Sequence, residues 1–187
     1  MIFNLPNSLT WLRIVLIPLV VGVFYLPLTI HEQNFIATGA FVVAAITDWF
    51  DGWLARRLGQ TSAFGAFLDP VADKLMVAAV LVMLVQLERL DAIVAIVIIG
   101  REITISALRE WMAHIGAAGS VAVSFIGKLK TTAQMIAIPM LLFYDPLAGL
   151  PIAAMGEALI WLAAALTLWS MGYYLGKAWP EIRRKGF

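Results

Sequence analysis

The chain contains no cysteine and only two histidines among its 187 residues. Without cysteine it can form no disulfide and offer no thiolate ligand, so a metal site would have to use oxygen or imidazole donors. Charged residues are also scarce, at 13% of the chain, while hydrophobic residues make up 62%. Ordinary globular domains are only about half apolar. This composition predicts an integral membrane protein.

Six apolar segments have the length of about 20 residues that a helix needs to cross the hydrocarbon core. They are predicted near residues 9–30, 35–54, 71–87, 92–113, 121–144 and 151–175. Short polar or Pro/Gly-containing connections such as HEQN, ERLD and DPLAGLP separate them. None of these connections is long enough for a second domain. We therefore expect an all-α protein, with residues 1–187 forming one membrane domain of six transmembrane helices.

The lysines and arginines near the ends of these segments lie mostly on one side of the predicted bundle. They are Arg56, Arg57 and Lys74 in the second connection, Arg109, Lys128 and Lys130 in the fourth, and Lys177, Arg183, Arg184 and Lys185 in the tail. The opposite side carries only Arg89. Because cytoplasmic loops carry the excess of positive charge, both termini and the even-numbered connections are predicted to be cytoplasmic.

Four aspartates lie within the stretch TDWFDGWLARRLGQTSAFGAFLDPVADK, residues 47–74. On a helix with about 100° per residue, Asp48 and Asp51 share one face, and Asp69 and Asp73 share another. An ionised carboxylate within the hydrocarbon costs roughly 2.5 to 3.5 kcal/mol, so positive charge must accompany the four. Pairs of hard oxygen ligands on facing helices suit Mg²⁺, Mn²⁺ or Ca²⁺, and two ions together can clamp a phosphoryl group.

Structural alternatives exist for three of the four aspartates. Asp69 and Pro70 suit the N-cap and first position of a third helix. The first two aspartates could be interfacial groups paired with Arg56 and Arg57. Neither alternative explains why small residues, which allow a bulky ligand to approach, share the carboxylate faces. These small residues are Gly52, Ala55 and Gly65.

The spacing of these residues resembles the signature of the CDP-alcohol phosphotransferase family. The signature reads Asp48, two residues, Asp51-Gly52, two residues, Ala55-Arg56, eight residues, Gly65, three residues, Asp69, three residues, Asp73. Outside it, NLPNSLTWLRIVLIP, GREITISALREW and IGKLKTTAQ are similar to the phosphatidylglycerophosphate synthases of bacteria within that family. The resemblance thus extends over most of the chain.

The resemblance implies a membrane enzyme with six helices, usually a homodimer, whose polar cavity opens toward the cytoplasm of a bacterial cell. It would reside in the cytoplasmic (inner) membrane and join CDP-diacylglycerol to sn-glycerol 3-phosphate, with no nucleic acid as partner. Two Mg²⁺ or Mn²⁺ ions would be bound by Asp48, Asp51 and Asp69, with Asp73 as a further ligand and the general base. The residues that would receive the CDP part are Gly52, Ala55, Arg56 and Gly65. A carboxylate bound to a dication is a weak base, so Asp73 could instead orient the attacking hydroxyl.

Four cations are candidates for the phosphate of the second substrate: Arg101, Arg109, Lys128 and Lys130. An arginine within a membrane helix is by default a functional hypothesis. Arg101 could alternatively pair with Glu102 or Glu110, and each lysine could be an interfacial anchor. The two lysines point about 200° apart on an ideal helix, which makes it doubtful that both reach one ligand.

Three polar residues precede or begin the first segment: Asn7, Thr10 and Arg13. They could contact the nucleotide diphosphate, or cap the first helix, which is the simpler reading for Asn7. The glycines Gly149, Gly156 and Gly172 are expected to allow close packing of helices.

Competing functions make different predictions. Serine, an inositol phosphate or phosphatidylglycerol could be the acceptor, although the basic cluster favours a phosphorylated one. A small transporter would distribute its charges across the membrane depth, whereas here they crowd one end. A scaffold without chemistry would leave the shared stripe of glycine and aspartate unexplained.

Overall fold

The structure, a computed structural model, describes residues 5–58, 63–117 and 125–185. This part of the chain forms six α-helices and one short 3₁₀ turn. They are α1 Leu5–Gly22, the turn Val23–Tyr25, α2 Ile30–Leu58, α3 Ala63–Gln86, α4 Ala92–His114, α5 Phe125–Phe143 and α6 Ile152–Lys185. No β-strand occurs among the described residues. The all-α prediction with six helices is confirmed.

The second helix begins earlier than the sequence predicted, because the polar HEQN segment is its first turn and not a connection. Thr29 Oγ1 donates to a carboxylate oxygen of Glu32 at 2.8 Å, and the backbone N–H of Glu32 donates back to Thr29 Oγ1 at 3.4 Å. The backbone N–H of Thr29 donates to the same carboxylate at 2.9 Å. This is a capping box, which satisfies donors that a helix start otherwise leaves unpaired.

The third helix also begins earlier than predicted. Asp69 and Pro70 lie inside α3, more than one turn after its start at Ala63. Asp69 therefore does not cap this helix, and the N-cap alternative for it is wrong. The side chain of Asp69 instead accepts a hydrogen bond from Thr10 of α1, as described below.

The helices pack as two groups joined through α5. The helix α1 lies against both α2 and α3, while α6 packs along α5 and also against α4. Contacts of α2 with α5, and of α3 with α4, close the bundle. One large apolar core runs through these helices. A smaller apolar cluster lies between α4 and α6, and we call it the α4–α6 cluster. Its buried residues are Ile105, Leu108, Met112, Ala117, Tyr174 and Ala178.

The first, third and fifth connections meet at one end of the bundle. Tyr25 donates to Gln86 at 3.0 Å, which ties the first connection to the end of α3. Arg89 donates to the carbonyl of Leu142 at 2.9 Å, and its guanidinium lies 4.4 Å from the ring of Tyr144. The alternation of connections predicted from the sequence is therefore present, and the aspartates lie at the other end.

One described helix, α6, combines the length and the apolar composition needed to cross a membrane by itself. Two other helices are interrupted by charged residues. In α3 these are Asp69, Asp73 and Lys74, and in α4 they are Arg101, Glu102, Arg109 and Glu110. Four of them, Asp69, Asp73, Arg101 and Arg109, are residues that the sequence analysis selected for the site.

Of the three glycines expected at helix contacts, Gly156 alone lies at one. A Cβ on Gly156 would be 3.0 Å from Met140 Cβ and 3.2 Å from Leu141 Cγ, on the facing helix α5. Gly149 has a φ of +80° and serves the turn before α6, and Gly172 has open space around its Cα. The packing prediction is therefore wrong for Gly149.

Candidate functional site

The C-terminal part of α2 and the N-terminal part of α3 bring three of the four aspartates together. Asp48 on α2 interacts electrostatically with both Asp69 and Asp73 on α3. A spacing of four residues puts Asp69 and Asp73 one turn apart on the same face of α3. The stripe expected from the sequence thus faces the end of α2. We call these three side chains the carboxylate group.

Two residues of α1 contact the carboxylate group directly. Arg13 is only 1% exposed, and its Nη1 lies 2.7 Å from Asp48 Oδ1. Thr10 is equally buried, and its hydroxyl donates a short hydrogen bond to Asp69 Oδ1. One buried guanidinium therefore offsets part of the charge of three carboxylates. The sequence analysis assigned Thr10 and Arg13 to the nucleotide but did not predict these contacts with the aspartates.

Several predicted residues have side chains that lie outside the described part of the structure: Asn7, Asp51, Gly52, Ala55 and Arg56. Gly65 is described and lies buried in α3. Among the described side chains, no three His, Asp or Glu residues come close enough to hold a metal ion. The set of four metal-binding aspartates stays a prediction.

Asp73 also lines a narrow cavity that reaches into the bundle. Arg13 lines the same cavity, together with apolar residues of α2, α3 and α5. These apolar residues are Phe41, Ala44, Ala45, Met76, Val77 and Met135. The carboxylate group is therefore bordered by an apolar wall on one side.

The cationic residues of α4 and α5 form a second group around Glu102. Lys130 is 1% exposed and donates a short hydrogen bond to Glu102 Oε1, and Arg101 Nη1 donates to the same oxygen at 3.3 Å. Glu102 was considered only as a partner of Arg101, so its contact with Lys130 is new. The carboxylate of Glu102 thus accepts hydrogen bonds from two buried cations.

Arg101 and Arg109 both lie over one aromatic ring of α6. The guanidinium carbons are 5.8 Å and 5.1 Å from the centre of the Tyr174 ring. Arg101 Nη2 also donates to Ser170 Oγ at 3.3 Å. Within the described residues, the buried Nε atoms of both arginines have no hydrogen-bond partner. Two donors are thus available to an anion in this group.

The two lysines point in different directions, as their spacing predicted. Lys130 is buried within the group around Glu102, whereas Lys128 is exposed. The structure therefore brings together Arg101, Arg109 and Lys130 but not Lys128. We call these three the cationic group.

Asp73 belongs to the carboxylate group and also interacts electrostatically with residues of the group around Glu102. Its partners are Asp48 on α2, and Glu102 and Lys130 on α4 and α5.

Sequence analysis did not identify the residues of α6. Thr167, Ser170 and Tyr174 are all fully buried in an otherwise apolar helix. Their spacing of three and four residues puts them on one face, which was a signal available in the sequence. It was weak, because hydroxyl groups also occur at ordinary contacts between membrane helices.

Comparisons with known proteins identify the family of the chain. The family model for CDP-alcohol phosphatidyltransferase matches residues 3–169. The chain is 52% identical over 182 residues to a protein of Escherichia coli (strain K12), and the match covers 96% of this chain and 97% of that protein. A protein of Shigella flexneri serotype 5b (strain 8401) matches with the same identity and coverage. Both are named CDP-diacylglycerol--glycerol-3-phosphate 3-phosphatidyltransferase. The chain belongs to the CDP-alcohol phosphatidyltransferase family.

Proposed function

We propose that the protein transfers the phosphatidyl group of CDP-diacylglycerol to sn-glycerol 3-phosphate, giving phosphatidylglycerophosphate and CMP. The names of relatives at 52% identity over nearly the full length support both the reaction and the substrates. The observation in the structure that carries the proposal is the set of electrostatic partners of Asp73. They include Asp48, in a group that suits a metal-bound diphosphate, and Lys130, in a group that suits a phosphate.

The carboxylate group fits a hard divalent cation. Its donors are all oxygen, and the charges of Asp48, Asp69 and Asp73 act on one another with one buried arginine, Arg13, to offset them. Asp51 completes the proposed set. Two Mg²⁺ or Mn²⁺ ions, when bound there, would neutralise charge on the diphosphate.

In this mechanism the residues of the chain mainly position and polarise the reactants. Asp73 orients the primary hydroxyl of glycerol 3-phosphate and accepts its proton as the oxygen–phosphorus bond forms. That oxygen attacks the phosphorus next to diacylglycerol, the bond to the CMP oxygen breaks, and CMP leaves with the electron pair. Phosphoryl transfer relies mostly on such positioning and on electrostatic stabilisation.

The nucleotide side of the site is assigned to residues near the carboxylate group: Asn7, Thr10, Arg13, Gly52, Ala55, Arg56 and Gly65. Small residues there let the diphosphate approach the helix backbones. Thr10 and Arg13 would have two roles, because each would contact the nucleotide and also contacts an aspartate.

The phosphate of glycerol 3-phosphate is assigned to Arg101, Arg109 and Lys130, with Lys128 as an outer contact. Guanidinium groups bind phosphate through parallel hydrogen bonds, and the two Nε atoms are available for it. This cationic group argues against serine, which brings no phosphate, as the acceptor.

The domain bounds, the membrane location and the orientation of the protein are proposed from the sequence. Residues 1–187 form one domain in the bacterial cytoplasmic membrane, with both termini and the cavity on the cytoplasmic side, as the positive-inside rule predicts. A homodimer is proposed from the resemblance to the family.

The direct test incubates purified protein with CDP-diacylglycerol and labelled sn-glycerol 3-phosphate. We expect one CMP released for each label transferred to lipid, no CMP release without glycerol 3-phosphate, and loss of both products in EDTA with recovery in Mg²⁺ or Mn²⁺. CMP release without labelled lipid would indicate hydrolysis. Turnover with serine or an inositol phosphate instead would show a different acceptor.

A further inference from the structure

Two residues of α6 contact the arginines of the cationic group. Ser170 and Tyr174 are fully buried and one turn apart, so they face α4 together. Tyr174 belongs to the α4–α6 cluster, where Ile105 of α4 is also buried. Ile105 lies four residues after Arg101 and four before Arg109, so all three share one face of α4.

The hydroxyl of Ser170 is oriented to accept from Arg101. Its own proton is donated to the carbonyl of Thr167 at 3.0 Å, which leaves an oxygen lone pair for Arg101 Nη2 at 3.3 Å. Arg101 Nη1 is directed to Glu102. Each terminal nitrogen of this guanidinium thus makes one contact with the protein, which fixes the plane of the group, and its Nε–H has no partner among the described residues.

The Tyr174 ring is the element that the two arginines share. Guanidinium groups within about 6 Å of a ring centre are attracted by its negative face, more strongly where water is excluded. Both arginines meet this distance, and the ring has no exposed surface. One buried side chain therefore restrains two cations that lie eight residues apart on α4.

We propose that Tyr174 is a positioning residue for the acceptor phosphate, acting through Arg101 and Arg109. This inference rests on the proposed function and adds α6 to its acceptor site. A restrained guanidinium loses less freedom when a ligand binds, so the ring contributes to affinity for the phosphorylated acceptor. The nucleotide lipid is assigned to the carboxylate group, whereas the ring contacts arginines of the cationic group, so we expect the affinity for this lipid not to depend on the ring.

The test compares three variants of the full-length protein in detergent. Tyr174→Leu removes the ring, Tyr174→Phe keeps it, and Tyr173→Leu removes the neighbouring ring, which contacts Tyr174 edge-on at 5.8 Å but neither arginine. We expect Tyr174→Leu to raise the KM for glycerol 3-phosphate about tenfold, since both guanidinium groups lose the ring that restrains them. The KM for CDP-diacylglycerol should change little, and the other two variants should resemble the unmodified protein.

Calorimetric binding of glycerol 3-phosphate and of inorganic phosphate separates this inference from the proposed reaction. Weaker binding of both anions to Tyr174→Leu, with normal binding to Tyr174→Phe, supports the positioning role even if turnover is not found. Unchanged anion binding by a folded Tyr174→Leu protein overturns it. So do an equal loss in both Tyr174 variants, equal KM increases for both substrates, and failure of the unmodified protein to bind either anion.

Discussion

The carboxylate group on α2 and α3 and the cationic group on α4 and α5 are built in different ways. The carboxylates follow one continuous motif, and helical spacing alone puts Asp69 and Asp73 on one face. The cations come from separate segments of the chain and are assembled only when α4, α5 and α6 pack together. Local spacing thus determines the common face of two of the three carboxylates, whereas tertiary packing determines the whole cationic group.

The two groups share one electrostatic feature, because in each a buried or half-buried residue of opposite charge contacts the group directly. Arg13 serves the carboxylates and Glu102 serves the cations. Partial neutralisation lowers the cost of keeping several like charges inside a membrane protein. The charge that is left in each group has the sign opposite to the ligand proposed for it, a dication on one side and a phosphate on the other.

The largest expected effect follows from Asp73→Asn, because Asp73 belongs to the carboxylate group and also interacts electrostatically with Glu102 and Lys130. Loss of a general base should reduce kcat by about 10²–10⁴-fold while CDP-diacylglycerol still binds. CMP release and lipid binding measure the two quantities. The matched control is Asp91→Asn, which keeps a good N-cap at the start of α4. Normal turnover by Asp73→Asn would remove this residue from the mechanism.

Arg109→Ala tests the cationic group without changing the carboxylates. Hydrogen bonds to a charged group contribute about 1.5–3 kcal/mol, so the KM for glycerol 3-phosphate should rise roughly 10- to 100-fold. The KM for CDP-diacylglycerol should stay within about twofold, since less than 0.5 kcal/mol is expected there. Steady-state kinetics with each substrate varied provide the measurement.

Two other variants serve as comparisons for Arg109→Ala. Lys177→Ala removes a cation of α6 that lies over the ring of Tyr173, outside both groups, and should change neither KM. Lys128→Ala should have a smaller effect than Arg109→Ala, because Lys128 is exposed. Equal changes in the two KM values of Arg109→Ala would reject the assigned pocket.

Gly156→Val tests the packing of α5 on α6, on which the cationic group depends. The added side chain would meet Met140 and Leu141, and overpacking should destabilise the fold by about 1–3 kcal/mol. Gly172→Val makes the same change in the same helix where there is open space, so it controls for helix propensity. Thermal unfolding in detergent measures the difference, and equal losses would contradict the packing role.

The smallest effect is expected at the opposite end of the bundle, far from both groups. Asp145 accepts a hydrogen bond from His31 at 2.9 Å and one from Asn34 at 3.2 Å. The bond from His31, more than any other cause, holds the pKa of Asp145 below its ordinary value of 3.8. A lowered folded-state pKa means that this stabilisation is complete above the unfolded value and is lost as the pH falls through the folded value.

Asp145→Asn should therefore lower the Tm slightly at neutral pH, and the difference from the unmodified protein should shrink as the pH falls below 3.8. Tm measured as a function of pH tests this. A difference that stays constant down to acid pH would show that the carboxylate charge contributes nothing there.

Much of the site could be predicted from the sequence because its residues are exceptions in an apolar chain. The i, i+4 spacing of Asp69 and Asp73 predicted their common face, and the angle between Lys128 and Lys130 predicted that they diverge. Helix ends were less predictable. The HEQN segment looks like a polar connection, but the Thr29–Glu32 capping box makes it part of α2.

The sequence by itself determined the helical class, the number of helices, the family and the positions of the charged residues, since these depend on composition and local periodicity. Only the tertiary structure decided that Thr10 and Arg13 contact the aspartates, that Glu102 holds Lys130, and that Tyr174 underlies two arginines. Each of these contacts joins different helices, and its partners are up to 73 positions apart in the chain. Periodicity within one helix carries no information about which face of another helix will meet it.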